Sequence, residues 1–219
     1  MKKRNISYAT TAFNAHNGDV GEGPIVIVGA GLAGLFTALK LAPAPTVVVS
    51  AAPLGDGAAS AWAQGGIAAA VGPGDTVSAH AHDTVAAGAG LVDRDIADMV
   101  AREAPHRVND LLDIGVPFDR DKSGAFELSR EAAHSAHRIV RVSGDKAGAA
   151  IMQSVIAKVR ATASIRVIEG FELEDLIVRE RRVCGVRIAR TRQSGLTHYE
   201  IVPAAAVVLA TSRSRTMPT

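Results

Sequence analysis

The chain has 219 residues, 47% of them hydrophobic and 21% charged, a globular composition long enough for one or two domains with a sizeable core. Lysine and arginine total 24 against 22 aspartates and glutamates, and a net charge of +2 gives no electrostatic footprint for nucleic acid or an anionic membrane as the main partner. The single cysteine, Cys184, excludes an intramolecular disulfide and a thiolate-rich metal site, and it suits a reducing compartment.

The chain opens on a basic Met1-Lys2-Lys3-Arg4, but no apolar signal-peptide core follows. Residues 1–22 read as a flexible tail. The longest apolar stretch, residues 24–39, is short for a bilayer span, so the chain reads as cytoplasmic and free of the membrane. Ile25-Val26-Ile27-Val28 is all apolar, as a parallel strand buried on both faces requires. A glycine-rich turn follows, then helix-forming residues 35–41, which Pro43 and Pro45 end. Residues 46–50 are a second β-branched strand, completing a βαβ unit within about thirty residues.

Residues 51–74 form a loop of small residues marked by Trp62 and Gln64. Asp75 or Thr76 can cap a helix that runs through Ala87. Asp93 can cap another, with Ile96, Met99 and Val100 on one apolar face. Pro105 suits the first turn of a third helix carrying Val108, Leu111 and Leu112 and closing at Gly115. Residues 117–143 read as a polar loop, and 145–161 as a helix with Ile151, Val155, Ile156 and Val159 in its stripe. Strands are expected over 165–168, 171–178, 183–189 and 198–202, with Arg181 and Arg182 at a turn, and a last buried-type strand over 205–210. Cys184 reads as an apolar filler in its strand.

Gly29-Ala30-Gly31-Leu32-Ala33-Gly34 lies between the first strand and the first helix. In such a GxGxxG, Gly29 permits the tight turn, Gly31 lets a pyrophosphate approach the backbone, and Gly34 lets the helix pack on the strand. The helix N-terminus adds unpaired amides and the positive end of its dipole. A dinucleotide fold places an acidic residue about twenty residues on, to hold the ribose hydroxyls. Ser50 stands there instead, a weaker hydrogen-bonding group without charge. His134 and His137 lack the carboxylate or cysteine spacing of a metal site, and none is expected.

Five segments together resemble the L-aspartate oxidases, flavoenzymes of the succinate dehydrogenase/fumarate reductase flavoprotein superfamily. They are GAGLAGL from Gly29, SAWAQGGIAAA from Ser60, HDTVAAGAGLVD from His82, GVPFDR from Gly115 and REAAHSAHRIV from Arg130. The resemblance implies an α/β fold: a Rossmann-like FAD-binding domain over 23–211 with a parallel sheet, helices and an added antiparallel β-meander. It implies FAD facing Gly29 to Gly34 through its pyrophosphate. Ser60, Ala61, Trp62, Ala63, Gln64, Gly65, Gly66 and Ile67 would run under the flavin. Leu173 would lie on the adenine-side strand, and Ala210 and Thr211 at the strand end near the pyrophosphate. Glu131 matches the catalytic-site glutamate that orients substrate.

Relatives with covalent flavin carry a histidine five positions before the glutamine of AQGG; here that position is Ala59, which implies non-covalent FAD. The implied reaction is oxidation of L-aspartate to iminoaspartate in NAD biosynthesis, with oxygen or fumarate as acceptor and quinolinate synthase as a candidate partner. Residues 212–219 depart from the family pattern. The capping and C-terminal helical domains of the longer relatives are not expected in this chain, which is then inactive alone. A soluble fumarate reductase-like flavoprotein and a non-catalytic flavin-domain fragment stay open as alternatives.

Overall fold

The computed structural model describes residues 23–190 and 198–211, so the tails expected over 1–22 and 212–219 lie outside the described residues. The chain divides into two compact units, one of Met1–Ala59 with Ile156–Thr219 and one of Ser60–Val155.

The first unit begins with β1 (Ile25–Val28), α1 (Leu32–Leu41) and β2 (Thr46–Ser50). The helix starts three residues earlier than expected. Glycine has low intrinsic helix propensity, which argues against Gly34 inside the first turn. Packing overrides it, because Gly34, Leu35 and Ala38 form the buried face of α1. Ala42 caps the helix ahead of Pro43, as the proline pattern indicates.

In the second unit, a 3-10 turn over Ala59–Trp62 and the two-residue β3 (Ile67–Ala68) structure the small-residue segment. Thr76 caps α2 (Val77–Ala87), its side chain accepting from the Ala79 amide. The two helices expected after Asp93 are one, α3 (Arg94–Ile114), which runs through Pro105. Proline removes one backbone donor from the ladder. The continuous buried face of Ala97, Ala101, Val108 and Leu111 keeps the helix whole. That face also corrects the expected apolar stripe: Ile96, Met99 and Val100 are about half exposed. Residues 117–143 are not simply a polar loop. They hold β4 (Leu128–Ser129) and β5 (Ile139–Val140), and sheet order β3-β5-β4 makes a small antiparallel sheet. The following helix, α4 (Ala147–Ala161), buries Met152 beside Ile151, Val155 and Val159, whereas Ile156 is only partly buried.

The chain then returns to the first unit with β6 (Ile165–Glu169), β7 (Phe171–Arg179), β8 (Arg182–Arg190), β9 (Tyr199–Pro203) and β10 (Ala206–Leu209). Strands β10-β1-β2-β6 make a parallel sheet, and β7-β8-β9 an antiparallel meander. Alternation along β1 and β2 separates two faces. Val26, Val28, Val47 and Val49 meet Phe171, Val186, Ile188, Val202 and Ala204 of the meander side in one core cluster. Ile27 and Val48, both fully buried, turn to the face that α1 covers. Each such side chain contributes roughly 1.5–3 kcal/mol of burial. The last strand is less buried than expected, with Leu209 58% exposed, because β10 is an outer strand of the described sheet. The β7–β8 turn is formed by Glu180 and Arg181, both at positive φ, with Arg182 already in β8.

Candidate functional site

In the first unit the parallel register brings the ends of three strands to one place. The Gly29 amide donates to the Val49 carbonyl at 2.9 Å, and the Ala210 amide to the Val28 carbonyl at 2.8 Å. Gly29, Ser50, Ala210 and Thr211 therefore gather at the carboxyl ends of β1, β2 and β10, the edge where open α/β sheets bind ligands. The glycine requirement there is steric. Gly29 sits at φ 112°, and a β-carbon on it would strike the Ala210 carbonyl and lie 2.9 Å from the Thr211 nitrogen. A β-carbon on Gly34 would strike the Gly29 carbonyl. Gly31 is the N-cap of α1 and carries no capping side chain; the first turn holds no acidic residue. The Leu35 amide is the first to close a helical bond, back to Gly31 at 3.0 Å. A helix mouth built this way offers main-chain donors and its positive dipole end to an anion.

Ser50 is buried and its hydroxyl donates to the Ala52 carbonyl at 2.7 Å, so toward a ribose it has only acceptor capacity left. Leu173 lies in β7 and packs its side chain against the core cluster, which leaves only its backbone for a ligand.

In the second unit, Ser60 to Ile67 pass through the 3-10 turn into β3. Trp62 is 82% exposed. Gly65 has φ 75°, and a β-carbon on it would lie 3.5 Å from Glu131 Oε1. The exposed Glu131 carboxylate thus stands beside Gly65, although 65 residues separate the two in sequence. Gly66 has no room for a side chain, because β5 passes at the Val140 carbonyl and 2.7 Å from Ile139 Cγ2. The 3-10 turn is held from below by Gly148, whose amide donates to the Ala63 carbonyl at 3.2 Å and whose missing β-carbon makes space for the Ser60 carbonyl.

Arg138 and its partners were not legible as a group. Arg138 is completely buried. Nε and Nη2 donate to the two oxygens of Asp75 at 2.9 and 2.8 Å. Nη1 donates to Asp83 Oδ2 at 2.7 Å and meets His134 Nδ1 at 3.3 Å; Nη2 reaches Ser135 Oγ at 3.5 Å. The five guanidinium donors all find acceptors. Asp83 Oδ2 also receives the amide and hydroxyl of Ser135, both at 2.7 Å. These Ser135 bonds, with Arg138 beside them, hold the Asp83 carboxyl at about 2, below its ordinary 3.8. His80, packed edge-on at 5.8 Å from the His134 ring, is pulled below the ordinary 6.5 by burial and by the Arg138 charge. The one available signal was the helical spacing of His80 and Asp83 beside a histidine- and arginine-rich segment.

Residues 24–217 match the model of the FAD binding domain family. The chain belongs to that family. FAD is the cofactor of such a domain, and the Gly29–Gly34 turn suits a diphosphate, since the N-cap of α1 carries no side chain and its first turn no negative charge that would oppose an anion. Among curated relatives, the L-aspartate oxidase of Caulobacter vibrioides is 54% identical over 159 residues, covering 71% of this chain and 31% of that protein. That of Agrobacterium fabrum is 44% identical over 186 residues, covering 85% and 35%. The chain thus spans about a third of the length of the relatives it matches. Among solved structures, the Mycobacterium smegmatis Sdh1 complex is similar at TM-score 0.76 and 30% identity, over 86% of this chain and 34% of that one. Escherichia coli quinol fumarate reductase is similar at TM-score 0.75 and 26% identity, over 86% and 32%. The FAD binding domain so placed has the expected parallel sheet and meander. Among the described residues, no helix is long and apolar enough to cross a membrane.

Proposed function

We propose that this chain is the flavin-binding part of an L-aspartate oxidase, which takes L-aspartate to iminoaspartate in the cytoplasm as a step of NAD biosynthesis. The observation that carries the reading is the Glu131 carboxylate beside Gly65, in a chain 54% identical over 159 residues to an L-aspartate oxidase. FAD held non-covalently would accept hydride from the substrate α-carbon and pass electrons to oxygen or fumarate. The chain's own residues bind and orient. Gly29 to Gly34, with Ala210 and Thr211, receive the diphosphate; Ser50 accepts from a ribose hydroxyl; the Leu173 backbone lies toward the adenine. Ser60 to Ile67 lie along the flavin ring. Glu131, an anion, suits the substrate ammonium, while the two substrate carboxylates require cations. This chain then supplies cofactor binding and substrate orientation, and quinolinate synthase is the partner of the whole enzyme.

A visible absorption titration tests the reading. Added FAD should stay with the chain through desalting with a perturbed flavin band, and L-aspartate should perturb that band further. A chain that emerges colourless contradicts it. The similarity to quinol fumarate reductase supports a second reading, reduction of fumarate. A flavin band that responds to fumarate and ignores L-aspartate favours that one.

A further inference from the structure

We propose that Asp83 and Arg138 are positioning residues for Glu131, their ion pair, closed through Ser135, holding the β4–β5 loop so that the Glu131 carboxylate stands over Gly65. The loop of residues 130–138 has little apolar anchorage: Arg130, Glu131, Ala132, Ala133 and Ser135 are exposed. Polar anchors hold it instead. At its neck the Arg138 amide donates to the Ser129 carbonyl at 3.1 Å. On its returning arm, the Ser135 amide and hydroxyl both end on Asp83 Oδ2. Between these anchors the His134 amide donates to the Glu131 carbonyl at 3.0 Å, closing a turn that sets where Glu131 points.

Asp83 sits on α2, and Arg138 ties it to Asp75, which stands two residues before that helix. The loop is therefore fastened to a rigid element by charge. Buried ion groups are a poor way to add stability, because well-packed apolar residues serve as well or better. Their advantage is directional, since a bidentate guanidinium accepts one arrangement of its carboxylates. Direction is what a substrate-orienting carboxylate on an exposed loop needs.

The inference rests on the proposed function only in giving Glu131 a substrate to face; its geometry is read without FAD or substrate. The test is solution NMR of the isotopically labelled chain. The native protein should show a cross-peak between the Gly65 α-protons and the Glu131 γ-protons, and a protected Ser135 amide. Asp83→Asn should abolish the cross-peak and speed Ser135 exchange about tenfold or more. Leu111→Ala, which trims the buried face of α3 and removes no group that bonds to Asp83, Ser135 or Arg138, should lower stability yet keep both signals. If Asp83→Asn does not fold, Ser135→Ala, which keeps the amide donor and loses the hydroxyl, should weaken the same two signals. The inference is overturned if the cross-peak survives in the clamp variant, or if Leu111→Ala loses it equally. A native chain that shows the cross-peak but binds no FAD contradicts the proposed function while supporting the clamp.

Discussion

The β1–α1 turn of the first unit and the β4–β5 loop of the second solve the same problem with opposite materials. Around Gly29 and Gly34 there is almost nothing but backbone, and each glycine lets another stretch of main chain pass where a side chain would stand. Around Glu131 the backbone is held by a buried cation, two carboxylates and a serine. Where main chain packs on main chain, space is the critical quantity and one extra carbon is damaging. Where a side chain must point, charge geometry is critical and the losses come from leaving a partner unpaired.

That contrast ranks the consequences of substitution. Arg138→Met should cost most. It leaves Asp75 and Asp83 buried together without their cation, and breaking a buried pair from one side costs about 3–5 kcal/mol. Urea denaturation followed at a second-unit probe reads this loss, and a midpoint unchanged from the native protein would remove the clamp from the energetics. Gly34→Ala should come next, at about 1–3 kcal/mol of overpacking. Its new carbon meets the Gly29 carbonyl, which is backbone and cannot rotate away. Thermal unfolding with and without FAD measures it; a variant as stable and as responsive to FAD as the native chain would show that the turn has slack.

Acid should separate the two regions without any mutation. The folded protein holds the Asp83 carboxyl at about 2 against an ordinary 3.8, so its contribution is present above 3.8 and lost as pH falls through about 2. Solvent screening reduces the size of that loss, because the Ser135 bonds that hold the carboxyl are exposed. His80, held below 6.5, works in the same direction. The unfolded chain takes up a proton below 6.5 that the folded one resists, so stability also declines below that pH. In Asp83→Asn the lower step should vanish from a plot of stability against pH. The smallest effect belongs to a helix cap. Asp93 caps α3 by accepting from the amides of Asp95 and Ile96, and Asp93→Ala should cost about 1 kcal/mol in the same denaturation series.

The same contrast explains what the sequence made legible. Glycine spacing between a β-branched run and a helix is a local pattern with a steric meaning, and it located the turn and the flanking strands; capping residue types offered Asp75 or Thr76 and Asp93, and Thr76 and Asp93 are the caps. Alternation and Arg181 marked the meander. Pro105 misled, since a local breaker suggested two helices where the long buried face of α3 makes one. Ile96, Met99 and Val100 satisfied an apolar period yet face outward. The Asp75–Arg138–Asp83 group was invisible, because its members are brought together by pairing of β4 with β5 and by the position of α2, neither of which any short window encodes. Glu131 and Gly65 were each reached through resemblance, and their adjacency only through the fold.

Fluorescence titration of FAD into the native chain and into Gly34→Ala tests the central claim most directly. Saturable binding by the native chain, weakened by about tenfold or more in the variant, a change of about 1.4 kcal/mol or more, is the expected result. Equal affinity in the two proteins, or no saturable binding in the native one, would contradict the assignment of the β1–α1 backbone to the flavin diphosphate.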